Sequence, residues 1–283
     1  MENKLEDFKQ LSRLARAIVN AHPRGYIGAI VQGPRGKGKS VFCMTTARQV
    51  FQYKYGLKRD DAWEMVLKNI VFSMEEVDHI FDRLEGIDWK NIDKHWIDDK
   101  PICTIWDDVG MHGGKYKYLV EAKLVDHLQE NLDIMRFAIT GFMMNAPEVG
   151  NLLRFLREYH DHVIIDIKGR REGGSEYERV AYFQKWKKNR RNYFQLREDP
   201  PHTPFSCFLG KVKCEGYDDQ WVYDKFESMK GEAIVKNRKN FKKMTKLIHT
   251  MEPEKTDDQI LDEMGLTKAL VEEERFDIMP QIP

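Results

Sequence analysis

Between Tyr26 and Gly56 the chain passes through a short apolar run, YIGAIVQ (26–32). A glycine-rich octapeptide follows, Gly33-Pro34-Arg35-Gly36-Lys37-Gly38-Lys39-Ser40, and then a segment of helical composition ended by Gly56. The octapeptide satisfies G-x-x-x-x-G-K-[ST], and a strand before it with a helix after it is the context that gives the pattern its meaning. Glycines let the backbone curl until successive N–H groups point into one concavity, and the helix N-terminus adds partial positive charge. Such a nest fits a triphosphate. All eight residues, 33–40, are therefore candidate nucleotide contacts, with Lys39 reaching the β- and γ-phosphates and the Ser40 hydroxyl ligating Mg²⁺. The competing reading, a solvated basic turn, leaves the strand and helix on either side unexplained.

The rest of the first half alternates in the same way. A helix-like stretch at 60–69 leads into a strand, IVFS (70–73), and a second helix ends at Gly86. PICTIWDD (101–108) is a strand of the buried type, residues 118–132 regain helical spacing, and RFAITGF (136–142) is a fourth strand. PEVGNLLRFLREYHD (147–161) reads as a helix with proline in its first turn, and HVIIDI (162–167) as a fifth strand. Ahead of all this, Leu5, Phe8, Leu11, Leu14, Ala15 and Ile18 form one apolar helical face. Five strands alternating with helices predict an α/β fold: three layers around a largely parallel five-stranded sheet, with a C-terminal hairpin and helical appendage.

Asp107 and Asp108 end the strand ICTIW. A carboxylate at a buried strand tip beside a phosphate loop can hold the magnesium shell through water, and an adjacent one can act as a base that orients the attacking water. Asp107 is assigned to magnesium and Asp108 to water activation. Taken without the loop, the pair also suits a helix N-cap.

Strand, phosphate loop, helix, strand, helix, strand with Asp-Asp, helix, strand, helix with arginines, strand: over residues 22–168 this order resembles the additional-strand class of P-loop ATPases, which includes the AAA+ proteins. The compact layout is most similar to replication-initiator and helicase-loader ATPases and to related ATPases of archaeal viruses and plasmids. The resemblance implies a polar residue at the tip of the fourth strand that contacts the γ-phosphate or the attacking water. Thr140 matches that position, and Asn145 is a nearby alternative. It also implies an arginine that enters a neighbouring subunit's nucleotide site, for which Arg154 and Arg157 are the candidates. Both also suit a surface helix, paired with Glu158 or Asp161. The three-helix lid of typical AAA+ members has no counterpart after Ile167, which leaves room for a DNA-translocating or packaging ATPase.

The 46 basic and 46 acidic side chains cancel, but unevenly along the chain. Residues 1–184 are near neutral, 185–246 carry a net charge of +8 and 247–283 a net −7. KWKKNRRNYFQLR (185–197) interleaves Lys185, Lys187, Lys188, Arg190 and Arg191 with Trp186, Tyr193 and Phe194. Cations can release counterions from phosphates while aromatics stack on unpaired bases, so DNA is the expected partner. The alternative is a strand whose aromatics pack inward. KNRKNFKKMTK (236–246) is a second basic run, on a helix face. The acidic tail opens on a capping-box pattern, Thr256-Asp257-Asp258-Gln259, but its second helix would carry Glu272, Glu273 and Glu274, which repel phosphates. It suits a protein partner better than a DNA groove.

Domain boundaries are expected near 168 and 250: an ATPase domain with an N-terminal helix, a basic appendage over 169–250, and the tail. No apolar stretch approaches the ~20 residues a membrane crossing needs, and MENKLEDFKQ lacks the features of a secretory signal, so a cytoplasmic location is expected. Cys43 and Cys103 read as small buried apolar residues, and Cys207 and Cys214 stand at hairpin distance without metal-ligand spacing. The reading that joins these observations is ATP hydrolysis with Mg²⁺, coupled to DNA and carried out by a homo-oligomer. Its rival is a nucleotide-gated recruitment switch with little turnover.

Overall fold

A computed structural model describes residues 8–84, 90, 100–109, 126, 129–131, 134–149, 152, 156, 162–170, 178–188, 194–199, 203–206 and 219–251. Its strands are β1 (Ile27–Gln32), β2 (Ile70–Val71), β3 (Cys103–Trp106), β4 (Gly141–Ala146), β5 (His162–Arg170), β6 (Glu178–Lys188), β7 (Phe194–Glu198) and β8 (Thr203–Ser206). The helices are α1 (Arg13–Ala21), α2 (Lys39–Tyr55), α3 (Arg59–Lys68), α4 (Met74–Asp78), α5 (Met135–Ala138) and α6 (Gln220–Met251).

The strands form one sheet in the order β2-β3-β4-β1-β5-β6-β7, with β8 pairing β6. Every pairing from β2 to β5 is parallel, and every pairing made by β6 is antiparallel. Parallel strands need helical crossovers that cover both faces, and the strand sequences record this. Ala29 and Val31 of β1 face one core cluster and Ile30 the other; Met143 of β4 is separated in the same way from Phe142 and Met144. Side chains alternate across a strand, so one apolar run feeds two layers. The first cluster holds α1, α2 and α3 against the sheet through Leu14, Ile18, Phe42, Phe51, Trp63 and Val66. The second uses Met74, Val77, Met135 and Ala138 together with Leu152 and Leu156. Each of the Leu, Ile, Val, Phe and Met side chains among them contributes about 1.5–3 kcal/mol on leaving water. The result is a three-layer α/β fold of the P-loop NTPase type, with the loop at the C-terminal edge of β1.

Two expectations change. The fourth strand starts at Gly141 and runs to Ala146, whereas 135–138 form a helical turn closed by Ile139 N–H donating to the Met135 carbonyl (2.9 Å). Parallel pairing of Gly141 with Ile27 fixes that register. Also, the sheet crosses the boundary expected at 168. That position lies inside β5, and Ala181, Phe183, Val222 and Phe226 share the core of the phosphate-loop layer. The hairpin extends the sheet to eight strands and is not a separate appendage.

Candidate nucleotide and magnesium site

The site lies where β1, β3 and β4 end together. Gly33 has φ of 143° and Gly38 of 88°, both in the region that side chains disfavour. At Gly33 a Cβ would also meet the Ile167 carbonyl oxygen at 2.6 Å, so the loop needs glycine there for space as well as for torsion. Gly38 caps α2, whose first turn closes with Phe42 N–H donating to the Gly38 carbonyl at 2.9 Å. Pro34, Arg35, Gly36 and Lys37 are exposed, so the loop's outer rim is open to ligand.

Lys39 is buried and points into the loop, its Nζ donating to the carbonyls of Gly33 (2.8 Å) and Pro34 (3.0 Å). Burial pulls its pKa below the ordinary lysine value, while Asp108 and Asp107 act in the opposite direction. Ser40 Oγ donates to Asp107 Oδ1 at 2.8 Å. Asn145 Nδ2 donates to Ser40 Oγ at 2.7 Å and also to Asp107 Oδ1. Three elements thus converge on one point: the start of α2, the end of β3 and the end of β4. Asp107 is fully buried, and burial raises its pKa, with Lys230 pulling it back down and Asp108 adding to the rise. Asp108 follows with φ of 57°, a left-handed turn that aspartate tolerates better than most residues and that marks a strained position beside the cluster.

A hydroxyl and a carboxylate on adjoining elements form a hard oxygen donor set that suits Mg²⁺, and a fully buried carboxylate calls for a cation. Ser40 and Asp107 are the residues that would hold it, with phosphate oxygens and water completing the shell.

Thr140, expected at the phosphate end of the fourth strand, is at the other end. It precedes β4, and its Oγ1 lies 3.0 Å from His22 Nδ1, where the chain enters β1. The strand runs four residues further than its apolar N-terminal half suggests, and the polar residue it brings to the loop is Asn145. Lys185 lies on β6 with its Nζ 3.7 Å from Asp199 Oδ2, a carboxylate already bound by Arg13 at 2.5 Å. Lys187 and Lys188 belong to β6, where they pair with Gln195 and Phe194 of β7. Arg154, Arg157, Arg190, Arg191, Cys207, Cys214 and the acidic tail lie outside the described residues. Cys43 and Cys103 are free and buried, in keeping with their reading as small apolar residues.

One residue at the site lies outside the motif. Lys230, on α6, places its Nζ 3.3 Å from Asp107 Oδ2 and 3.1 Å from Asp108 Oδ2. Burial opposes its charge, but the two carboxylates outweigh that and raise its pKa above the ordinary lysine value. The signal was present: Val222, Phe226, Met229 and Ala233 form an inward stripe, and Lys230 stands one turn after Phe226 on that face.

No protein-family model matches the chain. Uncharacterized protein B-251 of Sulfolobus spindle-shape virus 1 is 28% identical over 147 residues, covering 51% of this chain and 53% of that protein. The match thus spans about half the length of the viral relative. Among solved structures, the KaiC-like protein PH0186 of Pyrococcus horikoshii OT3 aligns over 69% of this chain and 92% of that one, with 16% identity and a TM-score of 0.33. Among the described residues, no helix is long and apolar enough to cross a membrane.

Proposed function

We propose that this protein is a Mg²⁺-dependent P-loop ATPase that acts on DNA. The observation that carries the reading is the joining of Ser40, Asp107 and Asn145 beside the glycine loop, because a magnesium ligand set and a phosphate cradle converge there from three separate elements. In this reading the loop N–H groups and Lys39 bind the phosphates, and Ser40 and Asp107 hold the metal. Asp108 orients water, and Asn145 contacts the γ-phosphate or that water. DNA engages the basic charge of the β6–β7 hairpin and of residues 236–246, which continue α6. Assembly into an oligomer brings Arg154 or Arg157 to a neighbour's nucleotide, and the acidic tail docks on a protein partner. Replication initiation, helicase loading and mobile-element DNA handling are the processes such an activity serves.

A second reading, an ATP-gated switch with slow turnover, draws support from Lys230, which neutralises the two carboxylates that turnover needs. Hydrolysis by wild type and Asp108→Asn, with and without DNA, separates the two readings. A motor loses at least about tenfold in rate on losing its base. Equal rates in the two proteins remove the motor. DNA affinity measured against salt tests the partner: it should fall steeply as salt rises, and less steeply once Lys187, Lys188, Arg190 and Arg191 are neutralised.

A further inference from the structure

Helix α6 brings to the site a cation that the phosphate-loop chemistry leaves without a role. Its first turns are anchored: Arg59 on α3 pairs with the nearly fully buried Asp219, Val222 and Phe226 sit in the core, and the Phe226 ring lies 6.2 Å from that of Phe72. From this seat the Lys230 stem passes the Phe226 ring, with Nζ 6.0 Å from its centroid, and the ammonium reaches both strand-end carboxylates. Asp107 spends Oδ1 on Ser40 and Asn145, so Oδ2 is the oxygen left for a positive charge.

A Mg²⁺ ion held at Asp107, directly or through water, would bring two positive charges to a carboxylate whose free oxygen Lys230 already occupies. An ammonium bridging Asp107 and Asp108 would then face a divalent ion beside a fully buried carboxylate, where like-charge repulsion is weakly screened. The two cations compete for the same carboxylate pair. We propose that Lys230 is the built-in counter-ion of Asp107 and Asp108, and that Mg²⁺ arriving with nucleotide displaces it. This rests on Ser40 and Asp107 being the magnesium ligands. The lysine stem has four rotatable bonds, so the ammonium can swing away while Val222 and Phe226 keep α6 in place. Competition is reciprocal: whatever affinity Mg²⁺ loses to Lys230, the tie between α6 and the end of β3 loses to Mg²⁺. The nucleotide site thereby makes or breaks a contact of the helix that continues into the basic run 236–246.

Lysine labelling of the full-length wild-type protein tests this without a substitution. Reductive methylation, read by mass spectrometry, is run with no addition, with Mg²⁺ alone and with Mg²⁺–ADP. Labelling at Lys230 is expected to rise several-fold with Mg²⁺–ADP and to rise to a lesser degree with Mg²⁺ alone. A rate that stays level, or that falls because a phosphate now shields the amine, overturns the proposal. In Lys230→Met, the Mg²⁺ concentration that half-saturates binding of a fluorescent ADP should drop about tenfold. An equal or greater Mg²⁺ requirement also overturns it. If wild type binds no fluorescent ADP at any Mg²⁺ concentration, the nucleotide reading has failed, and the labelling response to Mg²⁺ alone decides the displacement.

Discussion

Two buried lysines, one at each edge of the parallel sheet, do nearly the same local chemistry and serve different ends. Lys39, at the C-terminal edge, donates to the carbonyls of Gly33 and Pro34. Lys100, at the N-terminal edge, donates to those of Pro23 (2.7 Å) and Gly25 (3.0 Å) and also to that of Arg136. Burial lowers both pKa values, that of Lys100 to about 8 with help from Arg136. The difference lies in what surrounds them. Two carboxylates act on Lys39, and the carbonyls it touches belong to a loop with an open rim. Lys100 ties together three chain segments that enter the sheet, and the charge acting on it is another cation. A buried lysine marks a site only when its partners can be exchanged for a ligand.

Exchanging the two gives the largest expected contrast. If Lys39 exchanges the Gly33 and Pro34 carbonyls for phosphate as proposed, Lys39→Ala should cost about 10²–10³-fold in hydrolysis, while the melting temperature stays close to wild type because water at the open rim can replace the amine. Lys100→Met should do the reverse, leaving nucleotide affinity intact and lowering stability by about 1–3 kcal/mol, since three carbonyls lose their donor. Nucleotide titration and thermal unfolding of both variants measure this directly. A Lys100→Met protein that folds normally but binds no nucleotide would break the division between the edges.

The two ends of β4 repeat the contrast on a smaller scale. Asn145→Ala removes the donor that joins Ser40 to Asp107 and should slow turnover by about 10²-fold. Thr140→Val removes only the partner of His22, and about 1 kcal/mol of stability is the expected loss, with kcat unchanged. Steady-state kinetics showing the opposite order would return the γ-phosphate role to Thr140.

These two residues also show where the sequence stopped being informative. The loop was legible because its glycine spacing encodes backbone torsions, and Asp107-Asp108 because a buried strand seldom ends in acid without a reason. The end of β4 was not legible. Residues 134–144 are apolar almost throughout, so nothing local separates the helical turn at Met135–Ala138 from the strand at Gly141–Ala146, and only pairing with β1 sets the register. β6 carries two signals at once. Its cations suggest a nucleic-acid surface, yet Ala181 and Phe183 on the same strand fill the core, so one segment serves both packing and charge. Lys230 lies far along the chain from the loop it meets, and only the docking of α6 brings it there.

The smallest expected effect at neutral pH concerns His22, the partner of Thr140. Burial, with Lys54 and Lys100 nearby, lowers its pKa from 6.5 to about 4, so the folded protein keeps this ring neutral where the unfolded chain protonates it. Between pH 6.5 and 4 the unfolded state therefore binds more protons, and stability falls as the solution is acidified through that window. Below about pH 4 both states are protonated and the loss is complete. Asparagine at this position can still hydrogen-bond Thr140 and does not titrate. The stability difference between wild type and His22→Asn should therefore shift against wild type as pH drops from 7 to 4.5, with nucleotide affinity at pH 7 the same in both. Parallel pH profiles would mean that the ring takes up its proton in the folded protein as it does in the unfolded chain, so that burial at the N-terminal edge does not hold it neutral.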